Sequence, residues 1–326
     1  MISFIVRRLL VSIPVLILSS VLVFLLVANS GDPLGELKGR NPPVPKQVLD
    51  LRRHQLNLDK PLPARYWIWV THFVRGDMGT SVSGLNVRTL LGQRLVVTMR
   101  MIILATLVAL VLAVLTGVIS AVRQYHISDY TFTFAGFLFL SMPVFWLAAL
   151  LKEYVAIKFN QAFGHRVFYT VGSETPDLTG SLFHRLGDYS GHLVLPTLTL
   201  ALIGYASWSR YQRSSMLDVL SSDYIRLARA KGLTRTRVMV RHALRNALIP
   251  LATVVAVDTG TLFGGAILTE AVFSWHGMGD MLVRGINQID TNVVLAWLMA
   301  TSVIIILFNL AADIVYAFLD PRIRYG

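Results

Sequence analysis

Six apolar runs, each close to the thickness of a bilayer, dominate this sequence: Leu9–Ala28, Met101–Val122, Phe132–Leu151, Leu193–Ser209, Ala247–Ala271 and Val293–Phe318. A helix needs roughly 17 to 25 residues to cross the hydrocarbon core, and helices satisfy their backbone polar groups within the segment. The expected fold class is therefore all-α, a polytopic membrane protein with six transmembrane helices. With 54% hydrophobic and only 15% charged residues, and a mean hydropathy of +0.60, most of the chain has lipid for solvent. The first run follows Arg7 and Arg8 like a signal peptide, but it exceeds the roughly 7 to 15 residues of a cleavable apolar core and is read as a retained helix.

Orientation comes from one short segment between the fourth and fifth runs. Arg213, Arg226, Arg229, Lys231, Arg235, Arg237, Arg241 and Arg245 stand there against only Asp218 and Asp223. Short basic loops stay on the cytoplasmic side. This handle is therefore inside, and six crossings put both termini inside with it, in agreement with Arg7, Arg8, Arg322 and Arg324 at the ends.

Local signals divide the handle into helix, turn and helix. Ser222 or Asp223 is placed to cap a first short helix, Gly232 to end it in the left-handed conformation, and Thr234 to cap a second. On the first helix Tyr224, Leu227 and Ala228 fall at i, i+3 and i+4, a narrow apolar stripe suited to a partner's groove.

DYIRLARAKGL followed by RHALRNALIP resembles the cytoplasmic loop of permease subunits in the dipeptide/oligopeptide/nickel branch of the ATP-binding cassette importers. In that family the loop carries a coupling helix held in a cleft of an ATPase subunit. The resemblance assigns ATPase coupling to Asp223, Tyr224, Arg226, Leu227, Ala228, Lys231, Gly232, His242 and Arg245. The general importer loop has Glu-Ala-Ala ahead of its glycine; Arg226, Leu227 and Ala228 stand there, so only the last alanine is shared. Further matching pieces include Gly31-Asp32-Pro33, Ser141-Met142-Pro143, Leu195-Pro196-Thr197, Phe273-Ser274-Trp275 and the ending Asp320-Pro321-Arg322. His276, Val96 and Arg100 depart from the family pattern.

Three parts are expected: an N-terminal helix over 1–30, an outer segment over 31–98, and a five-helix core over 99–326 with a coupling loop at 213–246. The outer segment reads as a structured cap, with a turn at the Asn41–Pro45 prolines, a short helix, a proline-started helix and a glycine-rich loop. It and a second outer loop, Lys152–His192, are the expected platform for an extracytoplasmic binding protein, or else simply cover helix ends. The resemblance further implies a second permease subunit, a different chain as is usual in the family's peptide branch, and two ATPase subunits that hold ATP and magnesium. This chain itself is expected to carry no cofactor, in the cytoplasmic membrane of a prokaryote.

Within the membrane, Pro143, Pro196 and Pro250 mark bends, and Gly260 with Gly264 forms a GxxxG pattern for close helix approach. Asp258 sits in the middle of the fifth run, where an acid costs about 2.5 to 3.5 kcal/mol. Either it lines the translocation path with Gly260 and Gly264 and meets a cationic group such as a peptide amine, or it makes a structural hydrogen bond to another helix.

No Gly-Lys pair exists for a phosphate-binding loop and no H-E-x-x-H motif for zinc, so the chain is not expected to be an enzyme. Scattered histidines give no metal site, and the net charge of +12 lies mainly in the handle and first outer loop, without a nucleic-acid-binding module. The alternative function is a secondary transporter with Asp258, Asp313 and Glu270 as an ion relay.

Overall fold

The computed structural model describes residues 2–39, 41–176 and 178–319. Arg322, Arg324 and the Asp320-Pro321-Arg322 ending lie outside the described residues. Among the described residues every regular element is helical, and they fall into two units, one within Met1–Met99 and His276–Ile306, the other within Arg100–Trp275 and Leu307–Gly326.

In the first unit the Ile2–Asn29 helix is followed by the outer segment's helices Lys46–Gln55 and Leu62–Val74, the second entered through Pro61. Phe24, Tyr66, Trp69 and Phe73 pack as a file of rings with centroids 5.3, 6.1 and 5.2 Å apart. The Ser20 hydroxyl meets the Tyr66 hydroxyl at 2.9 Å, which pins the outer segment to the first helix. A second core joins Val87 and Leu91 to Met278 and Met281 of the Met278–Asn287 helix, and to Val293. Asp290, 1% exposed, accepts from the Val82 amide at 2.6 Å and from the Val293 amide at 3.2 Å. One carboxylate thus caps the Thr291–Leu319 helix and holds the glycine-rich loop beside it. His276, a departure from the family pattern, is held through its carbonyl by Arg94 at 2.6 Å, while its ring nitrogen lies 3.3 Å from Asp280.

The second unit is built on the Leu182–Ser221 helix, whose buried face packs against the Arg235–Phe273 helix and the Ile127–Ser141 helix. Pro143 does mark a break: the Ile127–Ser141 and Val144–Phe163 helices meet at 111°. Pro196 and Pro250 instead lie inside uninterrupted helices, Leu182–Ser221 and Arg235–Phe273. In the second outer loop, buried Asp188 accepts from the Thr175 amide at 2.8 Å and hydroxyl at 2.6 Å, and Tyr169 lies over the His192 ring at 4.1 Å between centroids.

The chain is an all-α, multi-spanning membrane protein. Four described helices are long and apolar enough to cross a bilayer, five when the bent pair is taken as one span. The expected fourth span, Leu193–Ser209, lies in the Leu182–Ser221 helix, which falls below that apolarity because Thr197, Thr199, Tyr205, Trp208 and Ser209 are carried on its buried face. Lipid does not touch that face, so it need not be greasy.

Candidate functional site

The handle forms its first helix over Asp223–Ala230. Ser222 is the capping residue by position, but its hydroxyl donates back to the Val219 carbonyl, so neither it nor Asp223 caps the helix as expected. Thr234 likewise precedes its helix without a side-chain capping bond. The helix ends as expected at Gly232, with φ +74° and its amide on the Arg229 carbonyl at 2.9 Å. A Cβ there would touch nothing, so only the backbone conformation calls for glycine.

Two faces of this helix have opposite fates. Ile225 and Ala228, 0% and 7% exposed, sink into a core with Met216, Val238, Ala243, Ala247 and Ala121. Full burial of one such isoleucine contributes about 1.5 to 3 kcal/mol. Tyr224 and Leu227 remain 43% and 56% exposed, with Asp223, Arg226 and Lys231 around them. The expected stripe is therefore divided: Ala228 belongs to the anchor, and Tyr224 with Leu227 forms the outward patch. Its apolar character at the helix surface is what a partner's groove would remove from water. Arg226 donates to Asp223 at 3.3 Å, an exposed pair that adds little.

Beyond Gly232 the second helix starts at Arg235, widens to π geometry over Val238–Leu244, and continues without a break to Phe273. His242 is half-buried and Arg245 exposed. Asn246 joins the two arms of the handle, donating to the Tyr224 hydroxyl at 3.2 Å and to the His242 carbonyl at 3.0 Å. Ser215 donates to the Ala247 carbonyl at 3.0 Å, tying the fourth span's extension to the base of the fifth.

Above the handle lies a cluster that sequence reasoning missed. Asp129, 2% exposed, accepts from Arg213 Nε at 2.7 Å and Nη2 at 2.9 Å, from the Tyr125 amide at 2.9 Å, and from the Ser120 hydroxyl. This bidentate pair fastens the Val87–Val122, Ile127–Ser141 and Leu182–Ser221 helices together. The signal available in the sequence is charge of opposite sign at the same end of consecutive spans, Asp129 and Arg213.

Deeper in the bundle, Asp258 is half-buried and accepts from Trp208 Nε1 at 2.9 Å. That is the interhelical hydrogen bond of the structural alternative. Gly260 is buried, but Gly264 is exposed and a Cβ there would meet nothing within the chain. The close approach falls one residue on, where a Cβ at Gly265 would lie 3.5 Å from Leu200. Asp258, Gly260 and Gly264 therefore do not line one face together.

Residues 113–325 match the family "Binding-protein-dependent transport system inner membrane component", and residues 1–107 match its companion "Binding-prot-dependent transport system membrane comp, N-term". The chain belongs to this family. Among its relatives, the oligopeptide transport system permease protein OppB of Mycobacterium tuberculosis (strain ATCC 25618 / H37Rv) is 44% identical over 324 residues, 99% of each chain. The oligopeptide transport system permease protein AppB of Bacillus subtilis (strain 168) is 36% identical over 328 residues, 100% of each. The inward-facing MetNI methionine ABC transporter shares the fold at TM-score 0.54 and 18% identity, covering 71% of this chain and 96% of that one. The importer-permease resemblance carried by the handle and the outer segment is thus borne out, and the ion-relay alternative gains no support. As an inner membrane transport component, this permease presents its handle with one face anchored and the other displayed.

Proposed function

We propose that this permease forms half of a translocation path for di- or oligopeptides, delivered by an extracytoplasmic binding protein and driven by ATP hydrolysed on partner subunits. The observation that carries the reading is the divided Asp223–Ala230 helix: Ile225 and Ala228 fixed in the chain's own core, Tyr224 and Leu227 left for a groove. Relatives named as oligopeptide permeases support the cargo class. In this reading six spans place both termini in the cytoplasm, and a second permease, a different chain, completes the path. Two ATPase subunits bind ATP and magnesium, and each coupling helix sits in one of their clefts.

Closure of the ATPase pair displaces the coupling helix. The anchored face passes that displacement to Met216 of the fourth span and to Val238 at the base of the fifth. Asp258 borders the path, held by Trp208 at 2.9 Å until a cationic cargo group competes for it. The decisive test is ATP-driven uptake by the whole importer in sealed proteoliposomes loaded with ATP. Tyr224→Asp or Leu227→Asp is expected to cut uptake at least tenfold while the permease pair still assembles. Unchanged uptake and unchanged ATPase stimulation in both variants would remove this helix from coupling.

A further inference from the structure

Between the handle and the ends of the Val87–Val122 and Leu182–Ser221 helices lies a cavity of about 440 Å³, within the range of small-ligand sites. Its walls are of two kinds. Val122, Leu220, Leu233 and Met239 supply an apolar floor, and Arg229 and Arg235 supply two guanidinium groups. Neither arginine engages an acid among the described residues, and both are exposed. They stand on opposite sides of the Gly232 turn, Arg229 at the end of the coupling helix and Arg235 at the start of the helix that becomes the fifth span.

We infer that this cavity binds one anionic phospholipid of the cytoplasmic leaflet, its phosphate between Arg229 and Arg235 and the first part of its acyl chain along Val122, Leu220, Leu233 and Met239. Three observations favour that occupant. Val122 closes the apolar helix of the second span, so the cavity opens where hydrocarbon gives way to headgroups. Planar guanidinium groups take phosphate oxygens in pairs, and basic recesses between spans on the cytoplasmic side suit anionic headgroups. An acidic protein loop would satisfy the arginines yet leave the apolar floor unfilled, whereas an amphiphile meets both. A phosphate bridging Arg229 and Arg235 would brace the turn between the two arms of the handle, which makes coupling dependent on anionic lipid. The inference rests on the cytoplasmic placement of the handle proposed above.

The test uses the whole importer, exchanged into phosphatidylcholine with graded phosphatidylglycerol and weighed intact by native mass spectrometry. One retained phosphatidylglycerol per copy of this chain is expected. Arg229→Gln with Arg235→Gln should weaken retention by about thirtyfold, the loss of two interfacial arginines, whereas Arg229→Lys with Arg235→Lys should stay within a few-fold. Should the glutamine variant fail to assemble, Leu233→Trp, which fills the cavity and keeps both charges, must also lose the lipid. Retention unchanged in the glutamine or tryptophan variant overturns the site. So does a lipid that the isolated chain holds but the assembled importer excludes, since the ATPase subunit is then the occupant. The chain has no cysteine, so Lys231→Cys can be labelled uniquely from either side of the membrane. Labelling from the outside would refute the placement of the handle, independently of whether lipid is retained.

Discussion

Replacing Asp129 by alanine removes the acceptor on which three spans converge. The carboxylate is 2% exposed and takes two bonds from Arg213, one from the Tyr125 amide and one from Ser120. Breaking a buried pair by deleting one partner costs about 3 to 5 kcal/mol, chiefly because the other charge is stranded. The Arg213 side chain is 27% exposed and recovers some hydration, which places the loss near the lower end, about 3 kcal/mol, or roughly 150-fold in the folding equilibrium. Asp129→Asn keeps an acceptor and loses the charge assistance, for about half that loss. Arg213→Ala together with Asp129→Ala leaves no stranded charge, so the double variant should be less damaged than the sum of the singles by about 2 kcal/mol. The assay is reversible unfolding in mixed micelles of mild detergent and dodecyl sulfate, read by tryptophan fluorescence across the four variants. Losses that add within about 0.5 kcal/mol would refute the pairing as an energetic unit.

Trp208→Phe deletes the donor to Asp258 and should destabilise the same transition by about 1 kcal/mol, the net worth of a typical hydrogen bond. Asp258→Asn keeps that bond; it should cost less in stability and lower uptake of cationic peptides, and unchanged uptake with the importer intact would exclude Asp258 from the path. For Asp290, burial pushes the carboxyl above the ordinary 3.8 despite the amides of Val82 and Val293. Its proton is thus held more firmly folded than unfolded. The stability this contributes is complete below 3.8 and is lost as pH rises through the folded value. The stability of the wild type minus that of Asp290→Asn should therefore fall as pH rises from about 3 toward 7, and a flat difference would refute it.

What could be read in the sequence had short-range causes. The spans follow from apolar length, the break at Pro143 from a missing amide and a crowded preceding residue, and the turn at Gly232 from a left-handed φ of +74° that other residues adopt at a cost. Ser222 and Thr234 show where local rules stop: a hydroxyl in capping position had another acceptor, the Val219 carbonyl, in reach of Ser222. The cluster at Asp129 joins residues 84 positions apart, and Asp290 reaches Val82 across 208 positions, with no periodic pattern to announce either. The Leu182–Ser221 helix is less apolar than the other candidate spans for a related reason. Its polar residues answer to neighbouring helices and not to lipid, and their partners are spread along the chain.

The unbroken helix from Arg235 to Phe273 has 39 residues, about 58 Å of rod at 1.5 Å per residue. Its lower end is gripped by the handle through Val238 and Ala243. Such a rod acts as a lever with a short arm on the handle side of the grip and a long arm beyond it. From that grip to Phe273 the arm is about 45 to 52 Å long, so a rotation of about 5° sweeps its far end through about 4 Å. The gain is set by the ratio of arm lengths, so a small motion forced on the handle would arrive magnified at the far end, near Phe273.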